Sequence, residues 1–186
     1  MNFVFHENVE KEIAKLLNEG KVVGRFNGKM EYGPRSLGNR SIIAAPFDPS
    51  INDWLNKRLH RTEFMPFAPS INEEHAEGYF VGYRKDHVAA DYMTITYDVK
   101  PEMKSKIPAV VHIDGTARPQ VVRKAVNPSY HAIIDEFYKL SGVPVVLNTS
   151  YNIHEHPIIY TPDDAITGFK EGKLDVLAIG NYICFI

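Results

Sequence analysis

Cysteine is almost missing from this chain. Cys184 stands alone among 186 residues, so no internal disulfide can form, and a reducing cytoplasm is the expected compartment. Set in "YICFI", it reads as a buried core thiol rather than a nucleophile. Long apolar runs are missing too: nothing approaches the roughly 20 residues that span a bilayer. The N-terminal "MNFVFHENVEKEIAKLL" carries acids early and lacks the basic start and small-residue cleavage site of a signal peptide. No charge of one sign dominates. With 21 Lys and Arg against 23 Asp and Glu the formal net charge is -2, so no global field recruits nucleic acid. Repeats, low-complexity tracts and long linkers are absent as well.

What remains is an ordinary globular composition, 44% hydrophobic and 24% charged, with enough residues for a single compact domain. "NVEKEIAKLLNEG" predicts an amphipathic helix, with Asn8 as cap, Val9, Ile13, Leu16 and Leu17 on one face and Gly20 as stop. "DPSINDWLNKRL", "NPSYHAIIDEFYKLSG" and "TPDDAITGFKEG" predict three more helices, each opened by a polar cap and a proline. "KVVGRF", "SIIAA", "PQVVRK", "VPVVLNTS", "LDVLAIG" and "YICFI" predict strands, as do "DYMTITYDV" and "AVVHID". "TEFMPFAPS", with two prolines, must be extended or irregular, and "NEEHAEGYF" suits a short helix. The irregular mixture of helices and strands predicts one α/β domain with a twisted, open mixed sheet.

Four segments concentrate residues of chemical interest. "GKMEYGPRSLGNRS", Gly28 to Ser41, holds three glycines, a proline, Glu31, Arg35 and Arg40 between two strands. Such backbone permits close approach to a ligand, and guanidinium forks with exposed N–H groups suit phosphate oxygens. It lacks the Gly-Lys-Ser/Thr ending of a Walker loop and is not a dinucleotide fingerprint. "LNKRLHRTEFMPFAPS" would set Lys57 and Arg61 on one helical face ahead of a proline-fixed exit. "HIDGTARPQ" marks a turn at Asp114-Gly115 that would project His112, Asp114, Thr116 and Arg118. "VPVVLNTSYN" carries Asn148, Thr149, Ser150 and Asn152 at a strand's C-terminal end, where open α/β sheets bind ligands. "HEH" at 154–156 would point its two histidines to opposite sides of a strand, which does not make a metal pair.

Taken in order, "GKMEYGPRSLGNRS", "RTEFMPFAPS", "HIDGTARPQ" and "LNTSYN…PII" resemble the C-terminal domain of the NodU-type and antibiotic O-carbamoyltransferases, from about Asn8 to the end. The resemblance implies a YrdC-like fold that uses ATP, with Mg²⁺ on the nucleotide, and carbamoyl phosphate to make carbamoyl adenylate. In that family a separate N-terminal domain binds a metal and transfers the carbamoyl group to a hydroxyl. Only the C-terminal domain is matched, so the chain is expected to be a separately expressed domain or a small stand-alone protein. A partner transferase domain or chain would complete the transfer, and no protein-held metal is expected here.

By match to the family motifs, Arg61, Arg118 and Ser150 are implied as the catalytic set. Arg35, Arg40, Lys57, His60, His112, Asp114, Asn148 and Asn152 are implied as nucleotide and phosphate ligands. Ser150 and Asn152 are expected to face a cavity shared by Arg35, Arg61 and Arg118. Some positions depart from the family pattern. Met65 replaces an arginine before Pro66, Tyr151 replaces a phenylalanine, and His156 stands where a glutamate precedes the proline. The family lysine corresponds to His60 or to a displaced Lys57. Two other functions are compatible with the sequence: a non-catalytic module that holds ATP or carbamoyl phosphate for a transferase, and RNA binding. The charge balance and the lack of an aromatic-basic repeat argue against RNA.

Overall fold

In the computed structural model, residues 1–59, 66–153 and 156–185 are described. An eight-stranded mixed sheet runs in the order β1-β10-β9-β2-β3-β8-β4-β7. Its strands are β1 (Phe3–Phe5), β2 (Val23–Phe26), β3 (Arg40–Ala44), β4 (Ala68–Asn72), β7 (Gln120–Val122), β8 (Val145–Ser150), β9 (Val176–Ile179) and β10 (Tyr182–Phe185). β2 runs parallel to β9 and β4 parallel to β7, while the other neighbours are antiparallel. A two-stranded ribbon, β5 (Tyr97–Asp98) with β6 (Thr116–Ala117), stands apart.

The period of two along each strand divides the core between the two faces. Ile42, Leu147 and Leu177 face one side with Leu55, Phe169 and the segment from Ala76 to Ala117. Ile43, Val146 and Val176 face the other, against Ile13, Leu17, Ile134 and Phe137. The second face is covered by α1 (Val9–Asn18) and α5 (Pro128–Ser141), and the first by α2 (Ser50–Arg58) and α6 (Pro162–Glu171), with two four-residue turns, α3 (Ala76–Tyr79) and α4 (Pro101–Lys104), nearby.

The helix signals in the sequence correspond to real caps. The Asn8 side chain accepts from Lys11 N, Asn127 from Tyr130 N, and Thr161 forms a capping box with Asp164. Gly142 ends α5 in the left-handed conformation at φ 74°. Asp48, expected as the cap of α2, is not: the N-cap is Pro49, with no side-chain cap bond, and the Asp48 carboxylate instead accepts from Ser50 N and Ser50 Oγ at 2.9 and 2.8 Å. Cys184 is fully buried, in the core.

Two segments differ from their sequence reading. "DYMTITYDV" forms a strand only at Tyr97–Asp98; Val88–Tyr92 is a 3₁₀ turn, followed by Met93 at φ 56°. "AVVHID" is a 3₁₀ turn at Pro108–Val110 leading into the Asp114 bend, not a strand. Ala90, Tyr97, Ala109 and Val110 are nonetheless buried: their β-type composition reflects burial on the sheet, not pairing within it. Conversely, Ala68–Asn72 is an interior strand despite Pro69. Pairing with β7 begins only at Ser70, past the residue that lacks an N–H.

Gly24 fixes how closely α6 approaches. A Cβ there would lie 2.8 Å from the Tyr151 ring, and the Tyr151 hydroxyl donates to Ala165 O of α6 at 2.7 Å. Gly24→Ala should therefore lower stability by about 1–3 kcal/mol, the usual cost of overpacking. Urea unfolding should show a lower midpoint at unchanged slope; an unchanged midpoint would mean that Tyr151 yields freely.

Candidate functional site

The motif segments gather at one edge of the sheet. Register pairs Ser41 with Ser150, Ala68 with Asn148, and Phe26 with Arg40. β7 runs parallel to β4, so Gln120 and the preceding Arg118 start at this same edge. The loop from Asn27 to Asn39 folds across it.

A web of buried polar groups holds that loop, and most of them are not apparent from sequence motifs. Glu31 Oε1 accepts three backbone N–H groups, from Leu37 at 2.7 Å, Asn39 at 2.6 Å and Arg40 at 3.4 Å. Arg25, only 3% exposed, donates from Nη1 to Gly38 O at 2.5 Å and from Nη2 to Ser129 Oγ at 2.7 Å. Ser129 Oγ in turn donates to Glu10 Oε1 at 2.6 Å. Burial pushes the Arg25 guanidinium down to about 10, against the opposing pull of Tyr130, Glu10 and Glu31. Gln120 Nε2 donates to Leu37 O at 2.7 Å, and Gln120 Oε1 accepts from Ser70 Oγ and Asn148 Nδ2. Gly38, at φ +116°, has no room for a side chain: a Cβ would sit 2.4 Å from the Tyr130 ring.

The residues singled out from sequence divide by their surroundings. Arg40 grips its own loop, donating to Asn27 O, Asn39 O and Gly28 O at 2.9–3.1 Å, with its guanidinium 3.6 Å from the Phe26 ring centroid. Asn148 joins the buried web, bonding Gln120 Oε1 and Ser36 O. Its Oδ1 is buried without a partner among the described residues. Ser150 Oγ donates to Asn152 Oδ1 at 2.6 Å, and Asn152 Nδ2 donates to His156 O at 2.9 Å. These two side chains therefore close a turn on each other and do not line the cavity of Arg35 and Arg118, contrary to the expectation of a shared wall. Lys57 is exposed on α2, which ends at Arg58. His60 and Arg61 lie outside the described residues.

Arg35 and Arg118 come together. They line one cavity of about 340 Å³ with Tyr32, Pro34, Leu37, Tyr92, Met93 and Thr94. Burial first, and Arg35 second, hold the Arg118 pKa below the usual arginine value. Arg118 Nε is buried without a hydrogen-bond partner, and neither arginine makes an ion pair among the described residues. Two guanidinium groups that repel each other and lack a carboxylate form a site ready for an anion.

Beside it, the turn at His112 orders its own donors. Thr116 Oγ1 donates its single proton to Asp114 Oδ1 at 2.8 Å, so the 3.0 Å contact with His112 Nδ1 requires the imidazole to donate. Nε2 is then left as an acceptor. Burial, with Arg118 adding to it against Asp114, lowers the His112 pKa and so favours the uncharged ring. Asp114 also accepts Thr116 N at 2.9 Å.

An α/β domain with a cationic cavity and a polar web at one sheet edge is the class of structure defined here. The chain belongs to the carbamoyltransferase C-terminal family, whose model, described as "Carbamoyltransferase C-terminus", matches residues 14–185. An uncharacterised protein of Methanocaldococcus jannaschii is 41% identical over 172 residues, covering 91% of this chain and 27% of that protein. Nodulation protein NolNO of Sinorhizobium fredii is 37% identical over 178 residues, covering 95% of this chain and 26% of that protein. Nodulation protein U of Rhizobium tropici is 37% identical over 164 residues, covering 88% and 27% respectively. The chain thus spans 26–27% of the length of these relatives. Full-length HypF, crystallised in a phosphate- and nucleotide-bound form, superposes with a TM-score of 0.62 at 19% identity, covering 96% of this chain and 22% of that one. Sua5 of P. abyssi superposes with a TM-score of 0.60 at 16% identity, covering 92% and 48%. At such identities the likeness is one of fold, and the fold is YrdC-like.

The two kinds of arginine should respond oppositely to truncation. Arg25→Ala leaves the buried Gly38 carbonyl and Ser129 Oγ without their donor and should cost about 3 kcal/mol or more. Arg118→Ala relieves a like-charge contact and should change stability by less than about 0.5 kcal/mol. Denaturant midpoints of both variants test this; equal losses would mean that Arg118 is part of the scaffold.

Proposed function

We propose that this chain carries out the activation half of carbamoyl transfer, converting ATP and carbamoyl phosphate to carbamoyl adenylate. The observation that carries this reading is the Arg35–Arg118 cavity, whose two guanidinium groups have no anionic partner among the described residues. Family membership supports it. In the proposed reaction, hydrolysis of carbamoyl phosphate releases phosphate and carbamate. A carbamate oxygen then bonds to the α-phosphorus of ATP as the bond to the bridging oxygen breaks, and pyrophosphate leaves. Such chemistry depends on positioning and on neutralising charge. Arg35 and Arg118 would take phosphate oxygens, on a loop fixed by Glu31, Arg25 and Gln120. His112, with Nδ1 committed to Thr116, would offer Nε2 as a hydrogen-bond acceptor in its uncharged form.

Mg²⁺ would arrive on the triphosphate. No group of three His, Cys, Asp or Glu side chains placed to hold an ion occurs among the described residues. Transfer to a hydroxyl acceptor falls to a partner transferase domain. Because the chain spans 26–27% of its relatives' length, a second reading is a module that binds ATP or carbamoyl phosphate for such a partner without turning over. No helix among the described residues is long and apolar enough to cross a membrane.

Incubation with ATP, Mg²⁺ and carbamoyl phosphate should release pyrophosphate; ATP binding without release would favour the second reading. A charge-assisted hydrogen bond contributes about 1.5–3 kcal/mol, so Arg118→Ala should weaken ATP binding at least about tenfold by calorimetry. Unchanged affinity would remove Arg118 from the site.

Ser150 is not proposed as a nucleophile. Its proton goes to an amide oxygen, Asn152 Oδ1, and not to a base. Intact mass after incubation with carbamoyl phosphate should show no adduct, and a carbamoyl group on Ser150 would overturn this assignment.

A further inference from the structure

The cavity of Arg35 and Arg118 is cationic on only part of its wall. The rest is aromatic or apolar: Tyr32, Pro34, Leu37, Tyr92 and Met93. A site for a small, wholly polar anion needs none of these. Tyr32 is fully exposed at 104%, and Tyr92 is half exposed. Two exposed tyrosines from separate segments, the β2–β3 loop and the 3₁₀ turn at Val88–Tyr92, thus line one small cavity. Met93 sits there in a left-handed conformation at φ 56°, so the chain accepts backbone strain at the cavity wall. The volume, about 340 Å³, falls in the range of pockets that enclose a drug-sized ligand rather than a single phosphate.

We propose that Tyr32 and Tyr92 hold the base of a nucleotide by its faces, with Arg35 and Arg118 taking its phosphates. This rests on the nucleotide-dependent reading above and adds which end of the ligand goes where. Stacking on an aromatic ring contributes roughly 1–3 kcal/mol per base, and every base has such a face. Hydrogen-bonding discrimination has little to work with: the Thr94 hydroxyl already donates to Ala89 O at 2.8 Å. The subsite therefore selects for an aromatic ring joined to an anion and reads the identity of the base weakly.

The test uses two ligands, ATP and inorganic tripolyphosphate, with calorimetry on the parent chain and on the Tyr32→Ala, Tyr32→Phe, Tyr92→Ala and Arg118→Ala variants. Tyr32→Ala and Tyr92→Ala should each weaken ATP at least about fivefold, which corresponds to the lower end of the stacking range, and leave tripolyphosphate within twofold. Tyr32→Phe should keep parental ATP affinity, because the ring face is what binds. Arg118→Ala should weaken both ligands. Tyrosine variants that leave ATP affinity unchanged, or that weaken tripolyphosphate as much as ATP, would overturn the base subsite. Pyrophosphate release is measured separately. A parent chain that binds ATP through Tyr32 and Tyr92 yet releases no pyrophosphate would sink the activation reading and leave the subsite standing. A parent chain that binds no ATP would overturn both.

Discussion

The site depends on one buried guanidinium. Arg25 lies in the second residue layer from the sheet edge and joins three elements that are far apart in sequence: its own strand β2, the Gly38 carbonyl of the loop, and Ser129 at the start of α5. An arginine in such a place must be satisfied by oxygens or it costs more than it gives. Here the hydroxyl of Ser129 and the carboxylate of Glu10 complete the chain of bonds. The loop that carries Arg35 is thereby tied to the helical face, and Arg35 meets Arg118 from a fixed position rather than from a mobile tip.

Within this arrangement charge is divided by use. Arg40 donates to main-chain oxygens and Arg25 to the Gly38 carbonyl and to the side chains of Asn39 and Ser129, and both shape the loop. Arg35 and Arg118 spend none on a carboxylate among the described residues. Glu31, in the same loop, directs its carboxylate into backbone N–H groups. That leaves the positive charge of the cavity uncancelled although a glutamate sits nearby. A near-neutral chain can in this way present a local anion site without any long-range field.

What the sequence made legible was local. Asn8, Asn127 and Thr161 with the glycines that follow their helices are signals within a few residues of their effect, and the helices begin and end there. The mixed sheet followed from the alternation of helices and strands, though β1 was not recognised, because three residues acquire strand character only by pairing with the far end of the chain. Within residues 91–99 and 109–114 only Met93, Tyr97, Val99, Ala109 and Val110 are buried, and of the strand-like composition only Tyr97–Asp98 forms a strand. Arg35 and Arg118 stood out by their glycine- and proline-rich surroundings, and they share one cavity. Arg25 and Gln120 did not stand out, since each acts through partners that only the fold brings near. Nothing in the sequence distinguishes Tyr32 from other aromatics, because its full exposure depends on the fold.

The pairing of β1 with β10 sets the order in which this molecule can be completed. Phe3 opposes Cys184, and Val23 opposes Val176 across the parallel β2–β9 pair. During synthesis β1 and β2 leave the ribosome well before β9 and β10, so the edges that these two later strands cover stay open until they are made. Long-range closure of this kind slows folding and exposes strands to wrong pairings meanwhile. A deletion that removed only β10 would also leave β1 without its ladder.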